Sequence, residues 1–103
     1  MKHFVPHDVS PEVAHRALDQ AFATYSTKYA QYDPHMHWAT DRKAEIRFNA
    51  KGMAISGTAD VDAKGITFDL KVPLVLSMFK STAVKYLEQE SQKWIEKAKS
   101  GQA

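Results

Sequence analysis

Between Ser10 and Asp33 the apolar positions recur with the period of a helix. Leu18, Phe22, Tyr25 and Tyr29 fall at i, i+4, i+7 and i+11 and make one stripe. Val13, Ala14, Ala17 and Ala21 widen it with small side chains, while Arg16, Asp19, Gln20, Ser26 and Lys28 occupy the other side. The start is marked chemically. Ser10 can cap with its hydroxyl, Pro11 suits the first helical position, and Glu12 complements the positive end of the helix dipole. Asp33-Pro34 predicts the stop, because the residue before a proline is pushed out of the helical region.

After Pro34 the period changes to two. Met36 and Trp38 alternate with His35 and His37; Ala44, Ile46 and Phe48 alternate with Lys43, Glu45, Arg47 and Asn49. Met53, Ile55, Gly57, Ala59 and Val61 form one face of a third strand, and Ile66, Phe68, Leu70 and Val72 one face of a fourth. Asp41-Arg42, Lys51-Gly52 and Asp62 to Gly65 read as the turns between them. His3 to His7, with Phe4 and Val5, reads as a short edge strand, the place where Pro6 is tolerated.

Pro73 closes the last alternation. Leu74 to Phe79 is apolar on all sides, which fits a strand end, a loop or a first helical turn. From about Ser77 the helical period returns, with Phe79, Ala83, Tyr86, Leu87, Trp94, Ile95 and Ala98 near one side. Glu90 is a misfit on that apolar side, and Ser100 to Ala103 should fray. The expected fold is α+β: an antiparallel sheet of four to five strands with two amphipathic helices packed on one face, in the order (β)α-ββββ-α. Residues 1–103 form a single domain. Trp38 and Phe68 should be buried under the first helix.

Composition narrows the chemistry. The formal net charge is only +2, which does not call for a nucleic-acid partner. The absence of cysteine removes disulfides, thiolate nucleophiles and Cys-type metal centres, and suits a reducing compartment. Neither a secretory signal nor a membrane-spanning run is visible, so a cytoplasmic protein is expected.

Each polar candidate has a plain structural explanation. His35 and His37 share one side of a strand, as two metal ligands would, yet no carboxylate sits at ligand spacing, and solvent-facing strand residues are expected, with no structural metal. Asp41, Asp60 and Asp62 sit at or beside turns, while Glu45 and Asp69 interleave with Lys43, Arg47 and Lys71 for cross-strand pairing. No nucleophile, base and orienting group recur in a catalytic pattern. The lysines of the last helix, Lys80, Lys85, Lys93, Lys97 and Lys99, fit either an anionic surface or a solvated face, with the second favoured. Leu74 to Phe79 is either core or an exposed contact, since a domain this small has little room to bury every side chain.

From Trp38 through Ala98 the chain resembles the polyhydroxyalkanoic acid system protein family, small bacterial proteins encoded near polyester-granule genes. The resemblance is carried by Trp38 with the strand Ala44 to Phe48, by Gly52 and Gly57, by FDLKVPLVLSMFK at Phe68 to Lys80, and by the helix end Glu90 to Ile95. A first helix like Val13 to Tyr29 also fits. The resemblance implies polyester-granule metabolism, no enzymatic residues and no cofactor. By analogy it implies a helix-grip-like fold in which a cavity can open between helix and sheet. A granule surface, a granule-associated protein or a hydroxyacyl chain is then the expected partner. Leu74, Val75, Leu76, Met78 and Phe79 would form the apolar contact, with Lys80 at its polar boundary. The alternatives are a carrier with a pocket lined by Phe22, Tyr25, Trp38, Phe48 and Phe68, and an interaction or homodimerisation domain.

Overall fold

The structure is a computed structural model that describes residues 1–101. Ser10 caps the first helix, α1 (Pro11–Lys28), by accepting from the Val13 N–H at 3.2 Å. The helix ends earlier than Asp33-Pro34 predicts. It stops at Lys28, and the chain tightens into a 3-10 turn at Ala30–Tyr32 before Asp33 takes a left-handed conformation with φ of 49°. Pro34 still acts as expected, since it keeps Asp33 out of the right-handed region.

Five strands follow the predicted order: β1 (Lys2–Pro6) before the helix, then β2 (His35–Trp38), β3 (Lys43–Ala50), β4 (Met53–Val61) and β5 (Gly65–Lys71). All are antiparallel in the spatial order β1-β5-β4-β3-β2. β1 is an edge strand, as Pro6 requires. The meander turns use local chemistry. Lys51 and Gly52 adopt positive φ between β3 and β4, and the Asp62 carboxylate accepts from the Lys64 and Gly65 N–H groups at 2.7 and 2.9 Å. Those two bonds hold the Asp62 carboxyl below its usual range.

Leu74 to Phe79 is neither strand nor α-helix. It is a 3-10 segment after Pro73, and the second helix, α2 (Lys80–Lys99), continues from it, three residues later than the period from Ser77 suggests. α2 runs antiparallel to α1, because Tyr25 meets Glu90 and Trp94 while Tyr29 meets Tyr86. Its far end is tied to the β1–α1 connection by Lys99 and Asp8 at 2.6 Å. The fraying expected at Gln102 and Ala103 lies outside the described residues.

Both helices cover one sheet face. The tight core sits at the end of the sheet where β3 begins. Val5, Ala14, Ala17, Ala44, Ala59, Val61, Ile66, Phe68, Trp94 and Ile95 are buried there in one cluster. Alanines on α1 above Ala44 and Ala59 let the helix come close to the strands. The other sheet face is open. His37 stands opposite Glu45, and Thr58 opposite Asp69, in the cross-strand register. His35 and His37 are exposed on it, and among the described residues no three His, Cys, Asp or Glu side chains converge as metal ligands.

Candidate functional site

The two helices do not seal the sheet along its whole length. Towards the end where β3 stops and α2 starts, a cavity of about 660 Å³ opens between them and the strands. Its periodicity explains it. α1 contributes Ala17, Leu18, Ala21, Phe22, Tyr25 and Tyr29, one stripe of the helix. α2 contributes Lys80, Ala83, Tyr86, Leu87, Glu90, Ser91 and Trp94, again one stripe. The floor is the inward side of the strands, including Met36, Ile46, Phe48, Ile55, Phe68 and Leu70. The deep end is closed by Ala17, Ile66, Phe68 and Trp94, all buried. The mouth holds Tyr32, Lys51, Phe79 and Lys80, all exposed.

Phe22, Tyr25, Phe48 and Phe68 therefore lie on the cavity wall. Trp38 does not, which corrects the expectation that it sits under the first helix in a pocket. β2 is an edge strand, and the register sets Trp38 opposite Ala44, at the tightly packed end of the sheet. There the half-buried indole stacks on His15 with ring centroids 3.6 Å apart and donates to the Asp19 carboxylate at 2.6 Å. An indole N–H at an open edge can be satisfied by a neighbouring acid, and Trp38 takes that position beside α1.

One polar clasp spans the two helices beside the cavity. The Trp94 indole donates to the Tyr25 hydroxyl at 2.8 Å, and that hydroxyl donates to Glu90, which also meets Lys93 at 3.2 Å. One turn further the Tyr86 hydroxyl donates to Tyr29 at 3.1 Å. Burial raises the Tyr25 and Tyr86 hydroxyls above the usual tyrosine range, so both stay protonated donors. The hydrogen bond from Tyr25 holds the Glu90 carboxyl below its usual range. Glu90, the misfit of the helical pattern, is thus an ionised group with partners. Tyr29, Tyr32, Lys51, Tyr86 and Trp94 also line the site and were not among the predicted pocket residues. For Tyr29 and Tyr86 the signal is the recurrence of tyrosine on the apolar stripes of both helices.

The apolar segment lies at the mouth, and its six residues divide. Leu74, Val75 and Met78 are exposed at 88, 65 and 77%. Leu76 is buried at 8% and lines the cavity, so it cannot belong to an outward contact as the sequence reading placed it. A 3-10 segment turns through three residues per turn, which sends one residue in while its neighbours face out. Phe79 does both: it lines the mouth, remains 44% exposed, and carries the Lys51 ammonium 5.6 Å from its ring centroid. Lys80 follows it, exposed, on the first turn of α2.

Among the described residues no helix is long and apolar enough to cross a membrane. Neither the curated proteins nor the solved structures include a significant match to this chain. A family model does match, over residues 4–95, a span that takes in β2 to β5, most of β1, the cavity and the apolar segment. The chain belongs to the polyhydroxyalkanoic acid system protein family.

Proposed function

We propose that the chain is a non-enzymatic accessory protein of polyhydroxyalkanoate metabolism that docks on the polyester granule through its apolar 3-10 segment. The observation that carries this is the outward exposure of Leu74, Val75 and Met78 on adjacent turns. Three large aliphatic side chains together in solvent form a contact patch. A polyester surface presents aliphatic carbon and uncharged ester groups, which such side chains can cover. Lys51 and Lys80 are exposed at the neighbouring cavity mouth, where Lys51 also meets the Phe79 ring, and would supply the polar boundary of such a contact. The ionisable groups at the cavity support binding over catalysis, since Glu90 is engaged by Tyr25 and Lys93.

The test is the triple substitution Leu74→Ser, Val75→Ser, Met78→Ser. Exposed positions of this kind change folding stability by about 0.5 kcal/mol or less each. Their burial at an interface is worth up to ~1.5–3 kcal/mol per side chain. Thermal unfolding should therefore move little, while co-sedimentation with poly(3-hydroxyalkanoate) beads should weaken by at least about a hundredfold. A folded triple variant that sediments as well as the parent removes the docking reading.

A further inference from the structure

The cavity behind the docking segment has features of its own. At about 660 Å³ it falls within the ~300–1,000 Å³ usual for small-molecule sites. It is a trough and not a bowl. Its lining on α2 runs from Lys80 to Trp94, which at about 1.5 Å per residue is about 21 Å along the helix axis. Between those ends the wall is mostly aliphatic and aromatic, with Ala83, Tyr86 and Leu87 on α2 and Phe48 and Phe68 on the strands, and Glu90 and Ser91 are its polar residues. The charges are segregated. Two ammonium groups, Lys51 and Lys80, stand at the mouth, and the carboxylate of Glu90 lies about 15 Å further in along α2.

We infer that the cavity binds a linear aliphatic carboxylate, chain inwards along the trough and carboxylate at the mouth with Lys51 and Lys80. The chain matches the long apolar wall. The head group matches the cations, and the inner Glu90 carboxylate opposes the reversed orientation by like-charge repulsion. Glu90 is kept ionised by the Tyr25 hydroxyl and is already met by Lys93, so it sets direction and does not serve as a free site for a cationic head. Free fatty acids and free hydroxy acids share this chemistry. The inference is independent of granule docking, because it concerns binding in solution with no granule present.

Isothermal titration calorimetry of the full chain tests it, with decanoate, 3-hydroxydecanoate and decylammonium below their micellar concentrations. One-to-one binding of the carboxylates, with decylammonium at least tenfold weaker, is expected. Lys51→Glu with Lys80→Glu, both at exposed positions, should weaken decanoate at least tenfold and reverse the preference. Ala83→Trp, which fills the trough from α2, should abolish binding while circular dichroism stays unchanged; if it does not fold, the lysine pair decides. Tighter binding of 3-hydroxydecanoate would support the site and identify hydroxy acids as its ligand, and equal affinities would support it as a general fatty-acid site. The inference is overturned if neither carboxylate binds, if the lysine pair leaves decanoate affinity unchanged, or if a folded Ala83→Trp protein still binds. It is equally overturned if sedimentation shows a dimer that buries the mouth against a second copy and excludes decanoate.

Discussion

The two ends of the helix-covered sheet face are built from different sizes of side chain and reach different densities. At the end where β3 begins, α1 presents Ala14 and Ala17 above Ala44 and Ala59, and all four are at most 2% exposed. At the other end the same helix presents Phe22, Tyr25 and Tyr29 towards Met36, Ile46 and Phe48, and every one of these larger residues is only half-buried. Along α1 the bulkiest apolar residues stand where the helix is least covered, while the residues it buries fully are alanines. Density follows from matched size across a contact, not from hydrophobicity summed along a stripe. The alanine end holds the fold together. The aromatic end is left open and keeps its apolar surface available.

That contrast is easiest to break with paired truncations. Ile66→Ala, at a site 2% exposed, should cost about 2–5 kcal/mol, a large part of the whole stability of such a domain. Phe48→Ala removes a larger side chain from the open end and should cost only about 1 kcal/mol, because little packing is lost where a cavity already lies. Equal losses in denaturant unfolding would show that the two ends are packed alike. Enlargement gives the converse and a smaller effect. Ala17→Leu, at 2% exposed, should destabilise by about 1–3 kcal/mol, whereas Ala83→Leu faces the trough and should be within about 0.5 kcal/mol of the parent.

The smallest expected effect concerns the clasp between the helices. Folding lowers the Glu90 carboxyl below its usual 4.5, chiefly through the Tyr25 hydroxyl. A depressed value means the stabilisation is complete above 4.5 and disappears as pH falls through the lowered folded value. Glu90→Gln keeps an acceptor for Tyr25 but cannot titrate. The parent should therefore exceed the variant in Tm at pH 7 by an amount that shrinks as pH falls below 4.5, worth under about 1 kcal/mol because Glu90 is still partly in contact with water. A difference independent of pH would place the contribution of Glu90 in packing instead.

The architecture was legible because each element carries its own signal. Ser10-Pro11-Glu12, the four alternating strands and Asp62 to Gly65 are local patterns, and local hydrogen bonds realise them. What escaped depends on where an element sits in the assembly. Trp38 alternates as an inward residue, yet β2 lies at the sheet edge, and His15 and Asp19 provide a site beside the helix. Leu74 to Phe79 has no periodicity to read, so nothing in the pattern separates Leu76, which turns in, from Leu74 and Met78, which turn out. The cavity itself is a matter of distance between layers, and apolar stripes look the same whether they meet or stand apart.

The strand order also dictates a sequence of folding events. β3, β4 and β5 pair with their neighbours along the chain through short turns, so this meander can form early. β1 is different: Val5 pairs with Ile66, and the Met1 amino group donates to the Leu70 carbonyl at 2.6 Å, across nearly seventy residues. During synthesis β1 leaves the ribosome before its partner and waits unpaired until β5 emerges. The apolar face of the meander stays uncovered by its second helix until α2, which follows β5, has been made. That interval is the point in the life of the chain at which aggregation competes most directly with folding.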